Sequence, residues 1–304
     1  MCRMLGYLGA PVLLNHLLYA PDSSLLKQSV DAQMLGMLSI AGFGLAAWDD
    51  NWAEPEIPLC YRNTQVAVFD QNLQALARKT FATALIAHLR GVPLRADTQV
   101  NLESLHPFRF DGLSLTLAHN GDLAGFQDMR FDLIEHIRPE FVRSIHASTD
   151  SAWLYALVAS ALEDPAGVLT AGEIAQAISK ALTIVRRVRD RHGIHRSSSV
   201  NLIVGDGRNL VATRFTFDFG RYDQPPHQGG FDYLSQWYTM GRDYSLHDDE
   251  WKMIGGAGNA DSVLIASEPL TRDVGTWVEV PEYSALLVSR DGARCSGELV
   301  ALDV

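Results

Sequence analysis

The chain holds three cysteines, at 2, 60 and 295. The first has the simplest route to chemistry. A small residue at position 2 permits removal of Met1, which would make Cys2 the chain terminus. A terminal α-amine has a pKa of about 7.7–8.0, so a useful fraction is neutral near pH 7. Such an amine can take the thiol proton and return it to a leaving amine, so one residue supplies both base and nucleophile. Further along, AHNGDL at 118–123 ends an apolar stretch with Asn120 and Gly121. A side-chain N–H and an unobstructed backbone N–H are donors of the kind a tetrahedral oxyanion requires. Arg90 closes AHLR at 87–90 and can fork onto a carboxylate, while Asp150 in STDS at 148–151 can face an ammonium group. Each has an ordinary structural reading when taken alone: a residue beside a start codon, a hairpin turn, a solvated strand end, a helix cap.

Other motifs fail on context. GFGLAA at 42–47 matches a dinucleotide fingerprint, but WDDNWAEPEIP follows it, which cannot supply the helix that receives a pyrophosphate. GGAGNAD at 255–261 lacks the Lys-Ser/Thr of a phosphate loop and reads as a turn. Asp190, His192 and His195 have tolerable metal spacing, yet Arg189, Arg191 and Arg196 would repel a cation there. The run Arg186, Arg187, Arg189, Arg191 reads as a solvated helix end that complements the macrodipole.

Composition narrows the class. With 304 residues, 47% hydrophobic and 20% charged, the chain is a globular protein able to bury a large core. A formal charge of −11 argues against nucleic acid or an anionic membrane as partner. No run approaches the ~18 apolar residues of a membrane span. The N-terminal MLGYLGAPVLLNHLLYA is broken by Gly6, Gly9 and Pro11, which favours a mature start over a signal peptide. Three scattered cysteines suit a reducing compartment, so a cytoplasmic location is expected.

The elements that must position these residues can be read coarsely. Strands are expected at 2–8, 42–48, 83–89 and 113–119, then at 200–204, 210–217, 263–266, 276–280 and 285–289. Helices are expected at 131–145, 150–162 and 171–191, the last with a capping box of Thr170 and Glu173. Strands, then helices, then strands, without βα alternation, predict an α+β layered fold. The stretch from Asp218 to Asp261 is too long for a plain connection and holds eight aromatics, Phe219, Tyr222, Phe231, Tyr233, Trp237, Tyr238, Tyr244 and Trp251. It reads either as a border of the site or as extra structure padding the fold.

Together, MCRMLGYLG at 1–9, GFGLAAWD at 42–49, AHLR at 87–90, HPF at 106–108, AHNGDL at 118–123, STDS at 148–151 and IASEP at 265–269 resemble one family. It is the class II glutamine amidotransferases of the N-terminal-nucleophile hydrolase superfamily. The resemblance implies a four-layer αββα sandwich formed by a single domain over 1–304, with an insertion at about 218–261. It implies Cys2 as nucleophile, Asn120 and Gly121 as oxyanion hole, Arg90 on a substrate α-carboxylate and Asp150 on its α-ammonium. His106 matches a family position near the site. No metal or cofactor is implied.

Departures from the large biosynthetic members are informative. Arg3 replaces their Gly, Arg90 is followed by GVP, Ala152 replaces an acidic residue, and no synthase domain is expected after residue 304. The chain looks more like stand-alone relatives that hydrolyse γ-glutamyl amides in ergothioneine biosynthesis or glutathione degradation. The expected activity is hydrolysis of glutamine or a γ-glutamyl thiol compound or peptide through a Cys2 thioester, with a homo-oligomer or a separate partner subunit left open. Alternatives are a glutaminase subunit feeding ammonia to a separate synthase, a non-catalytic scaffold of the same fold, and an amidase for bile-salt-like or penicillin-like amides.

Overall fold

The computed structural model describes residues 2–34, 38–91, 100–219, 221, 234–256, 258 and 260–304. Two antiparallel sheets carry the fold. The first contains β1 (Arg3–Leu13), β2 (Phe43–Trp48), β3 (Leu59–Asn63) and β4 (Phe81–Leu89) from the N-terminal part. The second contains β5 (Thr116–Gly121), β6 (Ser198–Gly205) and β7 (Asn209–Arg214), with β8 (Thr216–Phe217) paired onto β6. The chain then returns to the first sheet through β9 (Trp237–Gly241), makes a separate hairpin of β10 (Asp243–His247) and β11 (Glu250–Ile254), and adds β12 (Ser262–Ala266) and β13 (Val278–Glu279). Finally β14 (Ser284–Asp291) and β15 (Arg294–Ala301) complete the second sheet. The orders are β13-β9-β12-β1-β4-β2-β3 and β15-β14-β7-β6-β5.

Strand periodicity explains the layers. In β1, Met4 and Leu8 point into the core between the sheets, while Leu5 and Tyr7 join a second core on the outer face. β4 alternates in the same way, with Ala84 and Ile86 inward and Leu85, Ala87 and Leu89 outward. Strands buried on both faces read as continuous apolar runs, which is how 83–89 and 263–266 look in the sequence. The outer core of the first sheet is closed by α1 (Leu14–Leu18) and α2 (Gln71–Ala77) through Leu14, Leu17, Leu18, Leu73 and Ala77. On the second sheet, Val200, Leu202, Val204 and Val211 face α5 (Asp150–Ala161) and α6 (Ala171–Arg191). The result is the αββα sandwich.

Helix α6 buries Ile174, Ile178, Ala181, Leu182, Val185 and Val188, the three-and-four spacing of an amphipathic helix, and its Thr170–Glu173 capping box is present. The single helix expected over 131–145 is not. Two short helices, α3 (Phe126–Met129) and α4 (Pro139–Val142), flank a 3-10 stretch at 130–136, because Pro139 cannot continue a helix and opens a new one instead. β1 runs past Gly9 and Pro11 to Leu13 through a register shift between Leu8 and Val12, so these residues bend the strand rather than end it. Arg189 is also not solvated. It is 2% exposed, donates to Ser198 Oγ (2.8 Å) and the Arg196 carbonyl (2.5 Å), and pairs with Asp218.

Within 218–261, β9 is a strand of the first sheet, and Tyr244 and Met253 of the hairpin join the outer core, with Trp251 stacked on His16 at 4.1 Å. Phe219 is exposed, while Tyr222, Phe231 and Tyr233 lie outside the described residues.

Gly44 in β2 sets the spacing to the segment carrying His106, since a Cβ there would lie 2.0 Å from the His106 carbonyl oxygen. Overpacking of this kind costs about 1–3 kcal/mol. Gly44→Ala is expected to lower the unfolding free energy by that amount, read as a lower urea midpoint at unchanged m-value, whereas Gly112→Ala, where the added methyl meets nothing within 4 Å, should cost only the strain of its positive φ.

Candidate active site

Cys2 immediately precedes β1, and the pairing Arg3↔Leu89 sets it beside the end of β4, where Arg90 and Gly91 follow. Its thiol is half-buried and donates to the Gly91 carbonyl at 3.7 Å. Burial pushes the thiol pKa up, and Asp150 adds to this; the Gly91 contact and the Arg90 charge oppose it. Such a thiol is protonated near neutral pH and needs a base before it can attack. The Arg90 charge lowers and the Asp150 charge raises the pKa of this thiol, so both sequence candidates of opposite charge influence Cys2.

Arg90 is partly buried. It donates through Nη1 to the Ser104 carbonyl, while its Nε has no partner among the described residues. Burial pulls its pKa down, with Cys2 and Asp150 opposing. Asp150 opens α5 but does not act as its N-cap; Thr149 holds that position. One carboxylate oxygen of Asp150 accepts Leu123 N–H at 2.8 Å, and the other accepts Ser151 N–H at 2.7 Å and Ser151 Oγ–H at 3.1 Å. Asp150 therefore ties the start of α5 to the chain just beyond β5, where Asn120 and Gly121 lie.

Asn120 is 1% exposed, and its Nδ2 donates to Ser267 Oγ across 3.5 Å. Ser267 Oγ also accepts Met4 N–H at 3.0 Å, and Ser267 N–H donates to the Met4 carbonyl at 3.1 Å. One serine thus links β1 to Asn120. Gly121 is needed because a Cβ would lie 1.8 Å from the Ser199 carbonyl oxygen. Cys60, on β3, is exposed, and Cys295 is buried with its pKa pushed up to about 11 by burial.

His106 belongs to a buried polar chain that sequence reasoning did not see as one unit. Its Nδ1 is 3.3 Å from His88 Nδ1, and the two rings lie 4.0 Å apart. His88 Nε2 faces the His119 carbonyl at 3.2 Å, and His119 Nδ1 meets Ser151 Oγ at 2.9 Å. Burial, reinforced by Arg90, pulls His88 down to about 3. Burial and neighbouring His88 pull His106 well below its ordinary value. Both rings are therefore neutral, and the network assigns their tautomers. His88 Nε2 must donate to a carbonyl, so its Nδ1 is a lone pair. His106 Nδ1 must then donate to it, which leaves His106 Nε2 as a buried acceptor without a partner among the described residues. His88 and His119 stand inside AHLR and AHNGDL, but only three-dimensional proximity makes them one chain.

No group of three or more His, Cys, Asp or Glu among the described residues could hold a metal ion. The expected surface assignment of 190–195 includes one specific contact, His192 Nε2 to Asp132 at 2.5 Å. Among the described residues no helix is long and apolar enough to cross a membrane.

An αββα sandwich with a cysteine just ahead of β1, the opposite charges of Arg90 and Asp150, and Asn120 and Gly121 at a strand end together mark one class of protein. Comparison with known proteins names it. Residues 42–301 match the family model for class-II glutamine amidotransferases, and the chain belongs to that family. The matched span includes Arg90, His106, Asn120, Gly121 and Asp150 and begins downstream of Cys2. Among curated proteins, the chain is similar to the "Probable glutamine amidotransferase DUG3" of Saccharomyces cerevisiae, 28% identical over 308 residues, covering 95% of this chain and 82% of that protein. Among solved structures, a glutamine aminotransferase class-II domain protein from Silicibacter pomeroyi aligns over all of both chains at TM-score 0.60 and 21% identity. Glutamine phosphoribosylpyrophosphate amidotransferase from B. subtilis aligns over all of this chain and 50% of its own at TM-score 0.58 and 17% identity. These structures share the fold.

The buried neutral histidines make acid stability a test of the site's packing. Unfolded histidine takes a proton near pH 6.5, whereas folded His88 resists protonation down to about 3. Below about pH 6.5 the unfolded state therefore binds more protons, and stability falls with falling pH by up to about 1.4 kcal/mol per pH unit for each such histidine. Urea midpoints between pH 7 and 5 should show this slope, and His106→Gln should flatten it. An unchanged slope in the variant would place His106 outside the protected pair.

Proposed function

We propose that this class II glutamine amidotransferase-type enzyme hydrolyses a γ-glutamyl amide, either glutamine or a γ-glutamyl thiol compound or peptide, through a thioester on Cys2. The observation that carries the reading is the placement of Cys2: the pairing Arg3↔Leu89 sets it at the end of β4, where its thiol donates to the Gly91 carbonyl directly after Arg90, and the charges of Arg90 and Asp150 shift its pKa in opposite directions. An amino-acid head group presents one carboxylate and one ammonium, and a site with one cation and one anion beside a nucleophile complements both.

In this reading, removal of Met1 exposes the Cys2 α-amine. The amine takes the thiol proton, which is needed because burial holds the thiol in its protonated form. The thiolate adds to the γ-carbonyl carbon, and the carbonyl electron pair moves onto oxygen. Asn120 Nδ2 and Gly121 N–H stabilise that oxyanion. The intermediate collapses with loss of the leaving amine, which collects its proton from the Cys2 ammonium. Water, deprotonated by the same amine, then cleaves the thioester to release glutamate and restore the thiol. Arg90, with Nε still available among the described residues, binds the α-carboxylate. Asp150 keeps lone pairs for the α-ammonium beyond the three hydrogen bonds it accepts. Holding the substrate by two opposite charges lowers the entropic cost of reaching attack geometry.

Purified protein should therefore release glutamate from at least one member of a panel of glutamine, glutathione and other γ-glutamyl compounds. Cys2→Ala should abolish that release, while Cys60→Ala and Cys295→Ala keep it. Intact mass of active protein should lack Met1. Full activity in Cys2→Ala, or in protein that retains Met1, would overturn the nucleophile and base assignments.

The head-group assignment has its own test. A charge-assisted hydrogen bond is worth about 1.5–3 kcal/mol, or roughly 10–150-fold. Arg90→Ala and Asp150→Asn should each lower kcat/KM by at least that factor. Amidating the substrate carboxylate should then cost Arg90→Ala little more, and acetylating its amine should cost Asp150→Asn little more. Full additivity in both double cycles would remove the γ-glutamyl head group from the reading.

A further inference from the structure

The dipeptide Ser267–Glu268, at the end of β12, touches the nucleophile strand, yet Glu268 has no part in the chemistry above. Arg3 and Glu268 are 1% and 2% exposed, so both charges are taken out of water. Arg3 Nε and Glu268 Oε1 lie 3.8 Å apart. From that position Arg3 Nη1 donates to the Cys2 carbonyl at 3.0 Å. Glu268 in turn accepts Gln33 N–H at 3.2 Å on Oε1 and Met34 N–H at 2.8 Å on Oε2. The carboxylate is therefore fixed by the backbone of one segment while it faces the guanidinium that holds Cys2.

Stability does not account for such a pair. Desolvating two charges costs several kcal/mol per ion, and apolar side chains of similar volume often serve as well or better. What an apolar pair cannot do is hold a carbonyl oxygen. This matters at Cys2 in particular. β1 and its paired register begin at Arg3, so Cys2 lies outside the strand ladder that orients the residues after it. A grip on its carbonyl restrains rotation about the Cys2 Cα–C bond, and with it the direction in which Cβ leaves the chain. A 1 Å misplacement of a reacting atom can cost on the order of 10²-fold in rate.

We propose that Glu268 is a positioning residue: its carboxylate fixes the Arg3 guanidinium, which grips the Cys2 carbonyl and so aims the Cys2 side chain. The inference rests on the reading of Cys2 as nucleophile. It also gives Arg3 a reason to stand where the large biosynthetic relatives carry glycine.

The test measures L-glutamine hydrolysis by full-length, Met1-processed protein, with Cys2→Ala as control and urea denaturation in parallel. Glu268→Gln keeps size and removes the charge. It should lower kcat on the order of 10²-fold with little change in KM, the pattern of lost orientation rather than lost binding. Because that variant leaves Arg3 buried without its full counter-charge, a second variant separates aim from stability. Arg3→Met with Glu268→Leu removes both charges and should regain wild-type stability while kcat stays low. If Glu268→Gln fails to fold, the double variant alone decides. A double variant with wild-type kcat, or a folded Glu268→Gln with wild-type kcat, would overturn the inference while a dead Cys2→Ala leaves the nucleophile standing. Activity surviving in Cys2→Ala would overturn both.

Discussion

The position of β1 is the constraint on which the rest of this structure depends. It lies between β4 and β12, both antiparallel to it, and both of its faces are buried. Register, not loop geometry, therefore delivers Cys2 to the site. Pairing of Arg3 with Leu89 brings it to Arg90, and pairing of Leu5 with Ala266 brings it to Ser267 and Glu268. A slip of one residue would turn every inward side chain of β1 outward, so the core that stabilises the sandwich also fixes the register of the strand that follows Cys2.

The second sheet contributes by the same logic from the opposite side. β5 ends in Asn120 and Gly121, and Asp150 returns from α5 to the chain beyond that end through Leu123 N–H. Between the two contributions runs a chain of polar groups: His106, His88, the His119 carbonyl, and His119 with Ser151. Burial keeps His88 and His106 neutral, so they add no positive charge to the one Arg90 already brings. Arg90 lowers and Asp150 raises the pKa of the Cys2 thiol, and the proposed function uses this pair of opposite charges for the two ends of an amino-acid head group.

Burial has a second consequence at Cys2. A thiol raised in pKa is a poor nucleophile until a base acts on it, and His88 and His106 are held too far below neutral pH to serve well. In the proposed reaction, the α-amine that removal of Met1 would expose on the same residue meets that need. The buried Arg3–Glu268 pair then takes up what the strand ladder cannot do, which is to orient the residue that lies just outside it.

Much of this was legible in the sequence, and the boundary has a physical basis. Apolar runs marked β1, β2, β4, β12 and, in the second sheet, β5, β6, β7 and β14 but not the largely exposed β15, and the spacing in α6 and its capping box marked that helix, because burial and capping act over a few neighbouring residues. Cys2, Arg90, Asn120, Gly121 and Asp150 were visible as residue types at strand and helix ends. Where propensity was overridden the reading failed. Pro139 split the expected helix over 131–145, a register shift carried β1 past Pro11, and Asp218 drew Arg189 out of solvent. Contacts between distant positions were out of reach. Nothing local says that His88 meets His106, that Asp150 accepts from Leu123, or that Glu268 faces Arg3 across a separation of most of the chain. The sequence by itself determined the residue types and the short-range periodicity, since both depend on each residue and its near neighbours. Only the tertiary structure decided which of them share one site, since that depends on strand order and register.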